Sequence, residues 1–165
     1  MPTWRLFAIG VSILRSGDNR FIFCMLKEVS KTGTITASNE AVFHFLSDFK
    51  NLEDFIPQDK VKDFEATADS CKFSIPGLGQ AEVHMLEREP FKTIKLGSKD
   101  AGPVPFNFWI QLKELEPGDT RIRLTLHAEL NMMIKMMVGK KIKPGLDALI
   151  DKMEVFFNTR FNQQE

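Results

Sequence analysis

Tyrosine is absent from this 165-residue chain, cysteine occurs twice, and neither sign of charge is in excess, with 22 lysines and arginines against 22 aspartates and glutamates. Each scarcity excludes something. Fifteen Phe and two Trp supply all the aromatic rings, so no buried ring brings a phenolic hydroxyl that must find a partner, which suits a dry interior. Balanced charge provides no global field to attract nucleic acid or anionic lipid, so neither is an expected partner. Cys24 and Cys71 fit no zinc or redox spacing and no disulfide-stapled secreted scaffold. No metal and no cofactor is therefore expected, and a reducing cytoplasm is the default compartment. A chain of this length folds as one domain around one core.

The N-terminus carries an apolar run, residues 6–14, preceded by Arg5. It is too short to span a bilayer. Its outline resembles a signal peptide, yet Arg15, Asp18 and Arg20 follow it where small residues would be needed, and Phe23 before Cys24 is too bulky for a lipoprotein site. Two readings stand: an export signal, or an upstream extension over residues 1–24 with Met25 as the functional start and the domain proper over residues 25–165.

From Lys27 to Thr36 polar and β-favouring residues alternate, which predicts a first strand. Ser38 is a good N-cap with Glu40 in the first turn, and Val42, Phe45, Leu46 and Phe49 follow at helical spacing. A second short helix over residues 52–56 would be stopped by Pro57. Between Val61 and Leu130 the period changes to two, punctuated at Asp69-Ser70, Pro76-Gly77-Leu78-Gly79, Glu89-Pro90, Ala101-Gly102-Pro103 and Pro117-Gly118-Asp119. Connections this short join antiparallel neighbours, so six more strands are expected in a meander. Alternation places Ala81, Val83, Met85, Phe106, Phe108, Ile110, Leu124 and Leu126 on one face, and Gln80, Glu82, His84, Arg123 and His127 on the other. After Asn131 the period returns to 3.6. Leu146, Leu149, Ile150, Met153 and Phe157 form the apolar stripe of a long helix, with a kink or break expected near Gly139 and Pro144-Gly145.

The expected architecture is α+β: a seven-stranded curved antiparallel sheet around a long C-terminal helix, with two short helices after the first strand. This order resembles the START-like, or SRPBCC, superfamily of helix-grip domains. The segment TASNEAVFHFLSDFKNLEDFIP is similar to that family's strand-to-helix passage, and LNMMIKMMVGKKIKPGLDALIDKM resembles the final helix of its bacterial polyketide cyclase/dehydrase-like members. The resemblance covers residues 25–161. It implies a cavity between sheet and helix for lipids, hormones, polyketides or similar apolar compounds, without implying one activity.

The candidate chemistry is sparse. His44, His84 and His127 fall on faces assigned to water. The inward sheet face offers no carboxylate, imidazole, guanidinium or hydroxyl, and its one thiol, Cys71, has no assigned base. No catalytic residue is therefore named. The expected cavity lining is Phe45 from the first helix, Phe73, Val83, Met85, Phe106, Phe108, Ile110, Leu124 and Leu126 from the sheet, and Met133, Met137, Leu149 and Met153 from the C-terminal region. Met132, Met133, Met136 and Met137 read either as core filling or as a deformable lid at one cavity mouth. Lys140, Lys141 and Lys143 beside them read as a solvated charge run rather than a membrane contact. The expected function is the binding or carrying of an apolar small molecule; the alternatives are a cyclase or dehydratase-type enzyme, or a cavity-free module that acts through a protein partner.

Overall fold

The computed structural model describes residues 23–56, 58–98 and 104–162. Residues 1–22, Pro57 and the expected turn at Ala101-Gly102-Pro103 lie outside them. Eight strands form one antiparallel sheet: β1 (Phe23–Val29), β2 (Gly33–Ile35), β3 (Lys62–Ala66), β4 (Ser70–Ile75), β5 (Gly79–Glu89), β6 (Thr93–Gly97), β7 (Phe106–Glu116) and β8 (Asp119–Asn131). Their order in space is β1-β8-β7-β6-β5-β4-β3, with β2 also paired to β8. From β3 to β8 every neighbour in space is a neighbour in sequence, because short turns permit only that. The exception is the pairing of the first strands with the last.

The eighth strand comes from a break in what alternation reads as a single strand over residues 27–36. Here β1 pairs Phe23↔Asn131 through Val29↔Thr125, and β2 pairs Gly33↔Ile122 through Ile35↔Thr120. Between them the Ser30 amide donates to the Leu124 carbonyl at 2.9 Å, while the Ser30 hydroxyl accepts from the Leu124 amide at 2.9 Å. A hydroxyl thus substitutes for a backbone carbonyl and lets the chain leave the ladder without stranding a buried amide.

Two helical pieces follow β2. Helix α1 (Asn39–Leu46) starts where the Ser38 hydroxyl accepts from the Ala41 amide at 3.2 Å. It buries Val42, Phe43 and Leu46. Phe45, placed by the spacing rule on the buried stripe, is only half-buried, and Phe43 takes the deeper place. A 3-10 helix, Phe49–Phe55, is capped by Asp48 and buries Phe49, Leu52 and Phe55.

Helix α2 (Met132–Asn162) begins with no intervening loop, since the Asn131 side chain at the end of β8 accepts from the Ile134 amide at 2.8 Å. The break expected at Gly139 or Pro144-Gly145 does not occur, and α2 runs through Pro144. The helix is seated on both sides of that proline. Upstream, Ile134, Val138 and Ile142 pack on Leu26, Ala128 and Leu130; downstream, Leu146, Ile150, Met153 and Phe157 enter the main core. These apolar contacts keep the segment helical although one backbone bond is missing.

The C-terminal half of α2 also shields the open edge of β2. The amides of Lys31, Thr34 and Thr36 donate to the side chains of Asp147, Glu154 and Asn158, at 2.6, 2.5 and 2.7 Å. Lys31 also pairs with Asp151. Unpaired edge amides are thereby satisfied by helix side chains rather than left to pair with another chain.

Candidate functional site

Where the concave sheet face and α2 fail to meet completely, two hollows remain. The larger, about 300 Å³, lies under the 3-10 helix and the middle of α2, and is lined by Phe49, Leu52, Phe55, Ile56, Cys71, Phe73, Val83, Leu96, Phe106, Phe108, Ile110, Leu149 and Met153. The smaller, about 220 Å³, lies toward the start of α2 and is lined chiefly by Phe73, Ile75, Leu78, Ala81, Val104, Phe106, Leu126, Ala128, Leu130, Ile134, Val138 and Ile142. Phe73 and Phe106 belong to both walls. Side chains from β4 and β7 are thus common to both, which makes the two apolar spaces adjoining.

Of the residues expected to line a cavity, Phe73, Val83, Phe106, Phe108, Ile110, Leu149 and Met153 meet at the larger hollow, and Leu126 lies on the smaller. Leu124 is wholly buried in the core and lines neither, and Met85 packs against the core's outside. Phe45 belongs to an aromatic nest, 5.2 Å from the Phe156 and Phe157 rings, with the Arg160 guanidinium 5.0 Å above it. Met133 and Met137 are 73% and 57% exposed on the outward side of α2. Ile134, Val138 and Ile142 face the hollow instead, at a spacing of i, i+4, i+8. Periodicity could not choose between the two faces, because the segment from Met132 to Val138 is apolar on nearly every side.

Polar groups at the hollows are already engaged. Glu82 borders the smaller hollow, but its carboxylate oxygens lie 3.0 Å from His84 Nε2 and 3.7 Å from Lys72 Nζ, on the outer side of the sheet. Ser98 accepts from the Phe106 amide at 3.0 Å. Burial pushes the Cys71 thiol up to about 11, with the Glu82 carboxylate adding to the rise and a hydrogen bond with the Val83 backbone opposing it. At neutral pH this is a protonated thiol, a small hydrophobe rather than a nucleophile. Among the described residues no group of three His, Cys, Asp or Glu is placed to hold a metal ion.

The histidines sit apart from this interior. His44 is exposed beside Glu40, at 3.7 Å. His127 stands on the outer face with its ring 4.7 Å from Trp109 and its Nε2 buried without a hydrogen-bond partner among the described residues. Burial, and secondarily the nearby Lys27 cation, hold its pKa below the ordinary histidine value.

A curved antiparallel sheet gripping a long terminal helix over an apolar interior defines the START-like, SRPBCC-type helix-grip fold, and solved structures bear this out. Norcoclaurine synthase from Thalictrum flavum, solved in complex with dopamine and hydroxybenzaldehyde, superposes with a TM-score of 0.64 at 11% identity, covering 93% of this chain and 98% of that one. A START superfamily protein from Mycobacterium smegmatis gives a TM-score of 0.53 at 15% identity over 78% of this chain and 98% of its own. A protein from Deinococcus radiodurans gives 0.54 at 12% identity, over 79% and 94%. At such identities the likeness establishes the fold alone. No protein-family model and no curated protein matches the sequence.

Proposed function

We propose that the protein binds an apolar small molecule, a lipid, polyketide or compound of similar character, in the adjoining hollows between the sheet and α2. The observation that carries this reading is the shared lining: two spaces of about 300 and 220 Å³, walled by aliphatic and aromatic side chains, with Phe73 and Phe106 common to both. Side-chain rotation of those two rings would merge the spaces into one site for an elongated or two-part apolar ligand. The fold-level likeness to a synthase solved with dopamine and hydroxybenzaldehyde is in keeping with small-molecule binding by this fold.

Catalysis is the less supported alternative. A cyclase or dehydratase needs a titratable or nucleophilic group within reach of the reacting atom, and the groups near these hollows are a protonated Cys71, a Ser98 hydroxyl bonded to backbone and a Glu82 carboxylate engaged elsewhere. Solvent extraction of the purified protein followed by mass spectrometry, with Nile red titration as a second readout, tests the binding reading. Leu126→Trp narrows the smaller hollow and Leu149→Trp the larger, so each should weaken dye binding severalfold. Dye affinity unchanged in both variants, with nothing extracted from the wild type, would overturn it.

A further inference from the structure

The first turns of α2 expose what a water-soluble surface ordinarily hides. Met132, Met133, Met136 and Met137 are 49%, 73%, 80% and 57% exposed, while Ile134, Val138 and Ile142 of the same turns face inward. A contiguous group of large apolar side chains on a helix face marks an interaction surface. The same segment is one-sided in charge: residues 132–146 hold Lys135, Lys140, Lys141 and Lys143 and no aspartate or glutamate. Lys143 is engaged with the Val29 carbonyl and Asp147; Lys135, Lys140 and Lys141 are exposed.

We propose that this methionine and lysine face of α2 docks the protein on an anionic lipid bilayer. Thioether side chains are unbranched and deformable, suited to the disordered acyl boundary. Lysines beside them reach lipid phosphates with their ammonium groups while their methylene stems stay near the apolar layer. A zero net charge for the whole chain conceals this local asymmetry.

Two other occupants fit less well. A second copy meeting the first through the same face would bring lysines onto lysines, with no acid inside the segment to relieve them. β1 begins at this corner, because Phe23 pairs with Asn131 immediately before α2, and the sequence upstream of it is a further candidate occupant. That upstream sequence carries Arg5, Arg15 and Arg20 against Asp18, together with its apolar run, so its charge has the sign of the lysines. Both segments match an anionic surface better than they match each other. The inward side of these turns lines the smaller hollow, so docking would set that wall close to the membrane. The docking itself does not depend on the hollows holding a ligand.

The test is co-sedimentation of the full chain with vesicles of phosphatidylcholine containing phosphatidylserine, against vesicles of phosphatidylcholine alone. Binding is expected to the first, to be weak to the second and to fall at high salt. M133S/M136S and K140E/K141E should each lower partitioning by at least about tenfold, with melting temperatures within a few degrees of wild type because the side chains are exposed. L115S, which removes an exposed leucine from β7, should leave partitioning unchanged. The proposal is overturned by absence of phosphatidylserine-dependent binding. It is overturned equally by wild-type partitioning of M133S/M136S, or by self-association through this face with no vesicle binding.

Discussion

Single residues set the tolerances of this fold, and Gly33 is the tightest. A Cβ there would lie 2.6 Å from Ile150 Cγ2 and 3.0 Å from Ile122 Cγ2, and both isoleucines are fully buried and unable to give way. Gly33→Ala should therefore destabilise the protein by about 1–3 kcal/mol through overpacking, measured by urea denaturation; an unchanged midpoint would mean that β2 and α2 sit farther apart than described. His127 gives a second test. Its folded pKa is held below the unfolded one, chiefly by burial, so the unfolded state takes up a proton first as pH falls. Stability is then fully present above the unfolded value and declines through mildly acidic pH toward the folded value. His127→Phe should flatten the dependence of melting temperature on pH below about 6.5, whereas an unaltered slope would place its origin elsewhere. Cys71 shows the limit of reading function from residue type: sequence correctly places it inside, and only its surroundings make it a protonated apolar neighbour rather than a nucleophile.

At the scale of elements, the two halves of α2 are held differently. Its C-terminal half is bonded to the β2 edge through Asp147, Glu154 and Asn158 and buries Ile150, Met153 and Phe157 in the core. The N-terminal half rests on the smaller cluster, the Asn131 cap and a 3.4 Å contact of Cys24 Sγ with Met132 Sδ. Pro144 and Gly145 lie between the halves. Amides of residues 135–142 should accordingly exchange with deuterium faster than those of residues 149–158, because local opening follows local contact density; equal protection along the helix would refute this division. Gly145 has open space where a Cβ would stand, so Gly145→Ala offers a way to slow the N-terminal half by about 0.5–1 kcal/mol of added helix stability. These differences were invisible in the helical periodicity, which read Leu146 to Phe157 correctly but could not tell whether Met133 and Met137 or Ile134 and Val138 faced the sheet.

For the whole molecule, apolar ligand binding would couple to global stability, since the two hollows are bounded by the 3-10 helix, strands β4 to β8 and α2. An apolar compound at 100 times its Kd should add about 2.7 kcal/mol. For a domain of this size that is roughly 5–10 °C in Tm, and the shift should shrink in L126W and L149W. A calorimetric Tm insensitive to any compound that displaces Nile red would contradict that coupling. Strands β3 to β8, their inward faces and the start of α1 at Ser38 were legible in the sequence itself, because alternation, turn residues and capping are local and each is written within a few neighbouring positions. The start of α2 at Met132 was not, since Gly139 and Pro144-Gly145 read as separating those turns from the main helix. The pairing of β1 and β2 with β8, the division of the first strand at Ser30 and the choice of which side of the early α2 turns inward belonged to the tertiary structure. So did the hollows, which are the volume left over when β4, β7, the 3-10 helix and α2 approach from distant parts of the chain, and no local pattern records a space that its walls leave unfilled.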